Sequence, residues 1–115
     1  MINIERALAN KRLMLALTGV TPQEFRSLIP AFSQGYLEEK QKQHDKISKE
    51  REFGGGRIGF LRTIPEKLFF ILFYYKCYPT YDLVSLVFSC NRSNACRRQF
   101  QLSKSLEKTL KRKLA

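Results

Sequence analysis

The sequence predicts an all-α fold in which a glycine-rich hinge joins an N-terminal helical segment to a trihelical unit with a long C-terminal helix. Apolar residues recur at spacings of three and four, and capping residues precede several of these stripes. The longest apolar run, "LFFILFYY", has eight residues, whereas a membrane-spanning helix needs about twenty. We expect the helical segment and a polar connector over residues 1–52, the hinge over 53–62 and the trihelical unit over 63–115.

Two helices are expected in the N-terminal segment. The first covers residues 5–17, where leucines lie among basic and small residues. The second begins after Thr21, because Thr21 suits the N-cap, Pro22 the first helical position and Glu24 the third place after the cap. Its apolar stripe comprises Phe25, Leu28, Ile29 and Phe32. The polar stretch over residues 37–52 carries both charge signs and is typical of a solvated helix or a connector.

Three consecutive glycines interrupt the chain in "FGGGRIGF". Glycines let backbone amides approach an anion, but this stretch lacks the Lys and the Ser or Thr of a P-loop. A glycine run is also typical of a flexible linker. We therefore predict a mobile hinge, in which Arg57 and Arg62 are placed to reach a nucleic-acid backbone.

The second half of the chain opens with an apolar helix. Its start is predicted by the cap, proline and glutamate within residues 63–66, and it extends to about Lys76. It is apolar nearly all round, which places it in the middle of a bundle. A strand stays an alternative, because short apolar runs fit both structures. Pro79 disfavours helical geometry at Tyr78 and so ends this element.

A short helix and a long helix follow, separated by a tight turn. Thr80 caps the short helix, and Asp82 lies in its electropositive first turn. The turn is Ser89-Cys90-Asn91, and Asn91 is a good N-cap for a last helix over residues 92–113. A short helix, a three-residue turn and a longer helix are the elements of a helix-turn-helix.

The chain is strongly and unevenly basic. Its net charge is +11, from 21 Lys and Arg against 10 Asp and Glu. Residues 1–56 hold nine bases and seven acids, a net of +2, and residues 57–115 hold twelve bases and three acids, a net of +9. A field of this size favours nucleic acid or an anionic membrane as partner. The C-terminal half is therefore expected to bind the partner.

The cysteine pattern does not indicate a metal site. The three cysteines lack a C-x-x-C spacing, and the single histidine, His44, is distant from them in the sequence. We expect reduced thiols, no metal and no cofactor.

The last helix has two different faces. At about 100° per residue, one face holds Ala95, Leu102, Leu106 and Leu110, and the other holds Ser93, Arg97, Lys104, Lys108 and Lys111. In the major groove, Arg pairs with guanine, Asn pairs with adenine, and lysines further along meet phosphates. We assign DNA binding to Arg92, Ser93, Asn94, Arg97, Arg98, Gln101, Lys104, Lys108 and Arg57. An ordinary solvated basic face is the alternative.

Several segments in this half of the sequence resemble those of a known protein family. The segments "GGGRIGFL", "KLFFILFYYKCYPTYDLVSLVF", "NRSNACRR" and "LEKTLKRKL" closely resemble the N-terminal helix-turn-helix region of DDE-class bacterial insertion-sequence transposases. The resemblance covers residues 53–115 and extends more loosely to 18–32. Relatives usually carry Gly where this chain has Ser89. A left-handed residue there would be strained by about 1 kcal/mol or more with Ser.

The resemblance implies recognition of transposon-end DNA. It also implies a catalytic domain with an Asp-Asp-Glu triad holding two metal ions, and we expect a separate transposase polypeptide to supply that domain. We expect no catalytic residues here, a cytoplasmic and nucleoid-associated protein without a membrane partner, and either a monomer or a homodimer. A stand-alone transcriptional regulator and a helical protein that binds an acidic partner are the alternatives.

Overall fold

The structure, a computed structural model, describes residues 2–47 and 61–114. Within these two ranges the chain forms six α-helices and no strand, so the predicted all-α fold is confirmed for the part described. The helices are α1 (Ile4–Leu8), α2 (Lys11–Thr18), α3 (Pro22–Ile47), α4 (Ile64–Cys77), α5 (Tyr81–Phe88) and α6 (Arg92–Leu114). Most of the predicted hinge, including Arg57, lies outside the described residues.

The single helix predicted over residues 5–17 is wrong, because Asn10 divides it into α1 and α2. Asn10 is extended, at φ −132° and ψ 105°, and its side-chain oxygen accepts a 3.2 Å hydrogen bond from the Leu13 backbone N–H. Asparagine gains more at a cap than inside a helix, since its short side chain satisfies a free backbone donor. Helix α2 then ends at Gly19, whose φ of 79° suits glycine.

Helix α3 begins as predicted and extends further than its apolar stripe. Thr21 Oγ1 accepts from the Glu24 N–H at 3.1 Å, and Glu24 Oε1 accepts from the Thr21 N–H at 2.9 Å. Phe25 and Phe32 are fully buried. The helix continues through the polar stretch to Ile47, so the helical interpretation of that stretch is confirmed as far as residue 47.

Helix α4 lies at the centre of the bundle, as predicted, and the strand alternative is wrong. Thr63 caps it by accepting a 3.2 Å hydrogen bond from the Glu66 N–H. The helix packs against α2, α3 and α6. Its buried side chains include Leu68, Phe69, Phe70, Ile71 and Phe73.

Lys67, a buried lysine near the start of α4, contacts Leu61 and Tyr36. Lys67 Nζ donates a 2.9 Å hydrogen bond to the Leu61 carbonyl oxygen and lies 5.3 Å from the centroid of the Tyr36 ring. Desolvation lowers the pKa of Lys67, and the nearby positive charge of Arg98 lowers it further. The contacts with a carbonyl and an aromatic face compensate in part for burying the ammonium group.

Phe88, the last residue of α5, is the centre of an aromatic cluster with α4. Its ring centroid lies 5.0 Å from that of Phe70, 5.7 Å from that of Phe73 and 6.4 Å from that of Phe69. Interplanar angles of 61–66° make all three contacts edge-to-face. Phe88 is 1% exposed, so α5 is held to α4 by a dry aromatic contact.

The N-terminal helices share one hydrophobic core with α4, α5 and α6. Met14 of α2 and Phe25 of α3 belong to the same buried cluster as Phe88. The Ile2 backbone N–H donates a 2.9 Å hydrogen bond to the Val87 carbonyl oxygen in the last turn of α5. The division of the chain at residues 52 and 62 stays a prediction, and the described parts on either side of it pack together.

Helix α3 lies close against α6 at a glycine. A Cβ atom at Gly35 would stand 3.1 Å from the Ser105 carbonyl oxygen and 3.4 Å from Thr109 Oγ1. Ser105 and Thr109 are fully buried in this contact. The small residues allow the two helix backbones to approach.

Replacing Gly35 with leucine should destabilise the fold by about 1–3 kcal/mol, because the added side chain has to displace the α6 backbone. Chemical unfolding in urea measures the change. Gln34→Leu is the matched control, since Gln34 is exposed and surface changes usually stay within about 0.5 kcal/mol. Equal stability of the two variants would show that α3 does not lie against α6.

Candidate nucleic-acid interface

The turn between α5 and α6 forms at the three predicted residues. Ser89 is left-handed, at φ 54° and ψ 50°, which confirms the expectation of a left-handed residue after Phe88. The Cys90 N–H donates a 3.1 Å hydrogen bond back to the Ser85 carbonyl oxygen. A β-carbon makes this conformation unfavourable for serine, so strain is located at the junction of the two helices.

Helix α6 begins at the predicted cap. Asn91 Oδ1 accepts a 2.8 Å hydrogen bond from the Asn94 N–H, and the Asn91 carbonyl accepts one of 3.0 Å from the Ala95 N–H. The cap fixes the first turn of α6. Arg92, Ser93 and Asn94 are exposed there.

The packing face of α6 was predicted correctly only in part. Ala95, Leu102 and Leu106 are buried, as expected, but Leu110 is 47% exposed. In the second half of the helix, α3 lies on the side that carries Ser105 and Thr109. The buried face therefore turns away from Leu110.

The predicted DNA-binding residues separate into three groups. Those with exposed side chains are Arg92, Ser93, Asn94, Arg97 and Lys104. Those that are partly buried are Arg98, Gln101 and Lys108. Arg57 lies outside the described residues. The exposed group extends from the start of α6 to Lys104, at the middle of the helix.

Two of the arginines make contacts within the protein. Arg92 Nε lies 3.1 Å from Asp82 Oδ1, in an ion pair whose side chains are 70% and 75% exposed. Such an exposed pair contributes little to stability, so Arg92 can exchange this carboxylate for another anion. Arg98 donates a 2.9 Å hydrogen bond to Gln101 Oε1.

Lys108 faces α3 instead of open solvent. Its Nζ lies 3.1 Å from Glu39 Oε1 and 3.9 Å from Glu38 Oε2. Further along, Lys111 Nζ lies 3.1 Å from Glu107 Oε1. These carboxylates lower the positive potential around Lys108 and Lys111.

A shallow groove lies beside the start of α6. It is lined by Tyr81, Arg92, Ser93, Cys96 and Arg97. The Tyr81 hydroxyl donates a 3.2 Å hydrogen bond to Gln99 Oε1. Desolvation raises the pKa of Tyr81 above its ordinary value, and the hydrogen bond with Cys96 raises it further. A phenol is already neutral at physiological pH, and this shift keeps the Tyr81 donor in place at more alkaline pH.

No cluster of three or more His, Cys, Asp or Glu side chains is placed to hold a metal ion among the described residues. All three cysteines are free. None of the helices in the described ranges has the length and apolar character needed to cross a membrane.

Sequence reasoning missed one side chain on this surface. Phe100 lies on the basic face of α6 and is 62% exposed. Its position between Arg97 and Lys104 along the helix was available from the sequence. A phenylalanine in a domain this rich in aromatic residues is ordinarily assigned to the core.

A short helix, a three-residue turn and a longer basic helix are the elements of a helix-turn-helix unit. The family model described as helix-turn-helix of DDE superfamily endonuclease matches residues 60–112. The match confirms the resemblance given above for this segment, which contains α4, α5 and nearly all of α6. No curated protein and no solved structure matches the chain. DNA binding is the general function that the family match supports.

Ser89→Gly should stabilise the protein by about 0.5–1 kcal/mol, because glycine adopts the left-handed conformation without the β-carbon clash. The gain is reduced by the greater freedom of glycine in the unfolded chain. Urea unfolding measures it. Ser85→Gly, inside α5, is the control and should destabilise the protein. A Ser89→Gly variant that is less stable than the wild type would show that the turn is not strained.

Asn91→Ala should cost about 1 kcal/mol of stability, because the Asn94 N–H loses its cap acceptor. Asn94→Ala should leave stability within about 0.5 kcal/mol of the wild type, since the Asn94 side chain is exposed. Thermal and urea unfolding of the two variants provide the comparison. Equal losses would mean that Asn91 does not cap α6.

Proposed function

We propose that this chain binds duplex DNA sequence-selectively through the first half of α6, as the transposon-end-recognising portion of a transposase. The observation that supports this most directly is the arrangement of the first two turns of α6. Arg92, Ser93, Asn94 and Arg97 are exposed there, while Ala95 is fully buried behind them. In a helix-turn-helix it is this part of the second helix that reaches base edges.

The chemistry of the exposed residues suits base recognition. Arg97 can donate two hydrogen bonds to the O6 and N7 atoms of guanine, and Asn94 can pair with the N6 and N7 atoms of adenine. Each such pair contributes about 1–3 kcal/mol of discrimination against the wrong base. We assign sequence preference to Arg97 and Asn94, with Ser93 and Arg92 beside them.

Phosphate contacts are assigned to cations further from the helix start. Lys104 is exposed and lies on the same face as Arg97. Lys108 and Arg98 are partly buried and already contact other side chains of the protein. We therefore expect weaker contacts with DNA from these two residues and from Gln101. Arg57 remains a proposed backbone contact.

We infer that strand cleavage depends on a separate polypeptide. Three of the described carboxylates already have partners within the protein: Glu24 caps α3, Glu39 pairs with Lys108, and Asp82 pairs with Arg92. Two-metal phosphoryl transfer needs carboxylates that converge on two ions about 3.5–4 Å apart. A protein with this function would be found with the bacterial nucleoid, acting as a monomer or as a homodimer across two sites.

Arg97→Ala should narrow the affinity gap between a selected duplex and random DNA by about 1–3 kcal/mol, because one base-reading pair is lost. Lys104→Ala should weaken both kinds of binding alike and lower the salt slope by about one. Lys108→Ala should have the smaller effect, since Lys108 faces Glu39. Fluorescence anisotropy at several salt concentrations, on a duplex selected from a random library, separates these effects.

The salt dependence of DNA binding by the wild-type protein is the reference for these variants. About six phosphate contacts would weaken its binding by ~10³ between 50 and 200 mM salt. A flat salt response, or equal effects of Arg97→Ala on selected and random DNA, would overturn the assignment. Footprinting on transposon ends and on promoters distinguishes a transposase portion from a transcriptional regulator.

The purified chain should not nick DNA carrying a transposon end in the presence of Mg²⁺ or Mn²⁺. Cleavage should appear only after a polypeptide with the Asp-Asp-Glu domain is added. A supercoiled-plasmid nicking assay measures both conditions. Metal-dependent nicking that is lost when Asp82 or Glu107 of this chain is changed to alanine would contradict the non-catalytic assignment.

A further inference from the structure

Phe100 is an exposed side chain of α6 that no assigned role explains. Of the seven phenylalanines among the described residues, six belong to the hydrophobic core: Phe25, Phe32, Phe69, Phe70, Phe73 and Phe88. These six are at most 5% exposed, whereas Phe100 is 62% exposed. Leaving a phenylalanine side chain in water forgoes the free energy that its burial would supply. An exposed aromatic ring among the proposed DNA contacts is therefore a candidate for a contact with the ligand.

The position of Phe100 places it among the proposed DNA contacts. An α-helix turns by about 100° and rises by about 1.5 Å per residue. Phe100 is therefore rotated by about 60° about the helix axis from Arg97 and displaced by about 4.5 Å along it; the corresponding values relative to Lys104 are about 40° and 6 Å. Both neighbours are exposed. Base-reading residues of a recognition helix recur at this spacing of three and four. A helix that brings Arg97 to a base edge therefore carries Phe100 into the same groove.

The major groove offers one apolar group to such a ring. Thymine presents its C5-methyl there, beside the O4 acceptor, and phenylalanine is among the side chains that contact it. The remaining features of the base edges are hydrogen-bonding groups, which a phenyl ring does not satisfy. We propose that Phe100 contacts a thymine methyl and so specifies a T·A pair next to the base read by Arg97. This inference rests on the proposed function.

The same ring also borders a groove on the protein surface. This groove of about 550 Å³ is lined by Tyr75, Phe100, Leu106 and Leu110, with Lys104 and Glu107 at its rim. Tyr75 is held at its edge by a 2.7 Å hydrogen bond between its hydroxyl and Ser103 Oγ. The basic residues on the Phe100 side favour DNA over a second protein as the partner of the ring. A protein partner is therefore treated as an opposing outcome of the test.

The test removes the methyl group from the DNA and the ring from the protein. A duplex selected with the full-length chain is resynthesised with each thymine replaced in turn by deoxyuridine, which differs only by the C5-methyl. Wild-type protein should lose about fourfold in affinity at one position, the effect of one buried methyl-sized group. Phe100→Ala should bind the thymine duplex about as weakly as wild type binds the deoxyuridine duplex, and should no longer distinguish the two.

Two matched variants control for indirect effects. Arg97→Ala should bind less selectively and still lose affinity at the same deoxyuridine position. Leu110→Ala, another exposed apolar residue of α6, should respond to deoxyuridine as the wild type does. Thermal unfolding should show that Phe100→Ala folds, because the ring is largely exposed.

Different results overturn different statements. Selective binding without any deoxyuridine-sensitive position, or with equal sensitivity in wild type and Phe100→Ala, would overturn the role of Phe100 and leave the proposed function standing. Loss of self-association in both Phe100→Ala and Leu110→Ala, with unchanged deoxyuridine sensitivity, would identify a protein-binding surface and likewise overturn it. Absence of selective DNA binding by the wild type would overturn both.

Discussion

The packing of Phe88 against α4 is the contact on which the functional half of the molecule depends. The ring closes the end of α5 against Phe70 and its neighbours at centroid distances of 5.0–6.4 Å. The chain passes from α5 into α6 through the next three residues, so the direction in which α6 leaves depends on where Phe88 is fixed. The strained Ser89 and the Asn91 cap then complete a rigid connection. Under the proposed function α6 has to enter a DNA groove at a defined angle, and the buried aromatic contact of Phe88 fixes the start of the turn that leads into α6.

Local chemistry made the C-terminal elements predictable. Thr63, Thr80 and Asn91 each accept a backbone N–H three residues ahead, as their sequence context indicates. At Asn10 the prediction of a continuous helix is wrong, because this residue caps α2 within a leucine-rich stretch. Both outcomes have the same physical cause. A Thr or Asn side chain can bond to a nearby backbone N–H and begin a new helix, or it can lie within a continuing helix, and the neighbouring residues decide between the two.

Contacts between distant residues were not predictable from the sequence. Nothing in the pattern of α6 indicates that Lys108 would meet Glu39, or that Gly35 would admit the Ser105 backbone. These contacts depend on where α3 lies, and a single helix periodicity carries no information about its neighbour. The candidate site was therefore predicted well at its start, where caps and turns fix the exposed residues. It was predicted less well where tertiary packing selects the face.

The hydrogen bond from Ile2 to Val87 has a consequence for the order of folding. It links residues at positions 2 and 87, so the contact forms only after a long loop has closed. During synthesis the chain emerges from its N-terminus, and α1 and α2 have no α4 or α5 to pack against until those helices follow. The apolar faces of α1 and α2 should therefore stay partly exposed until α4 and α5 have been synthesised. A nascent chain stalled before residue 88 would present an incomplete core to chaperones and proteases, because Ala95, Leu102 and Leu106 of α6 also belong to that core.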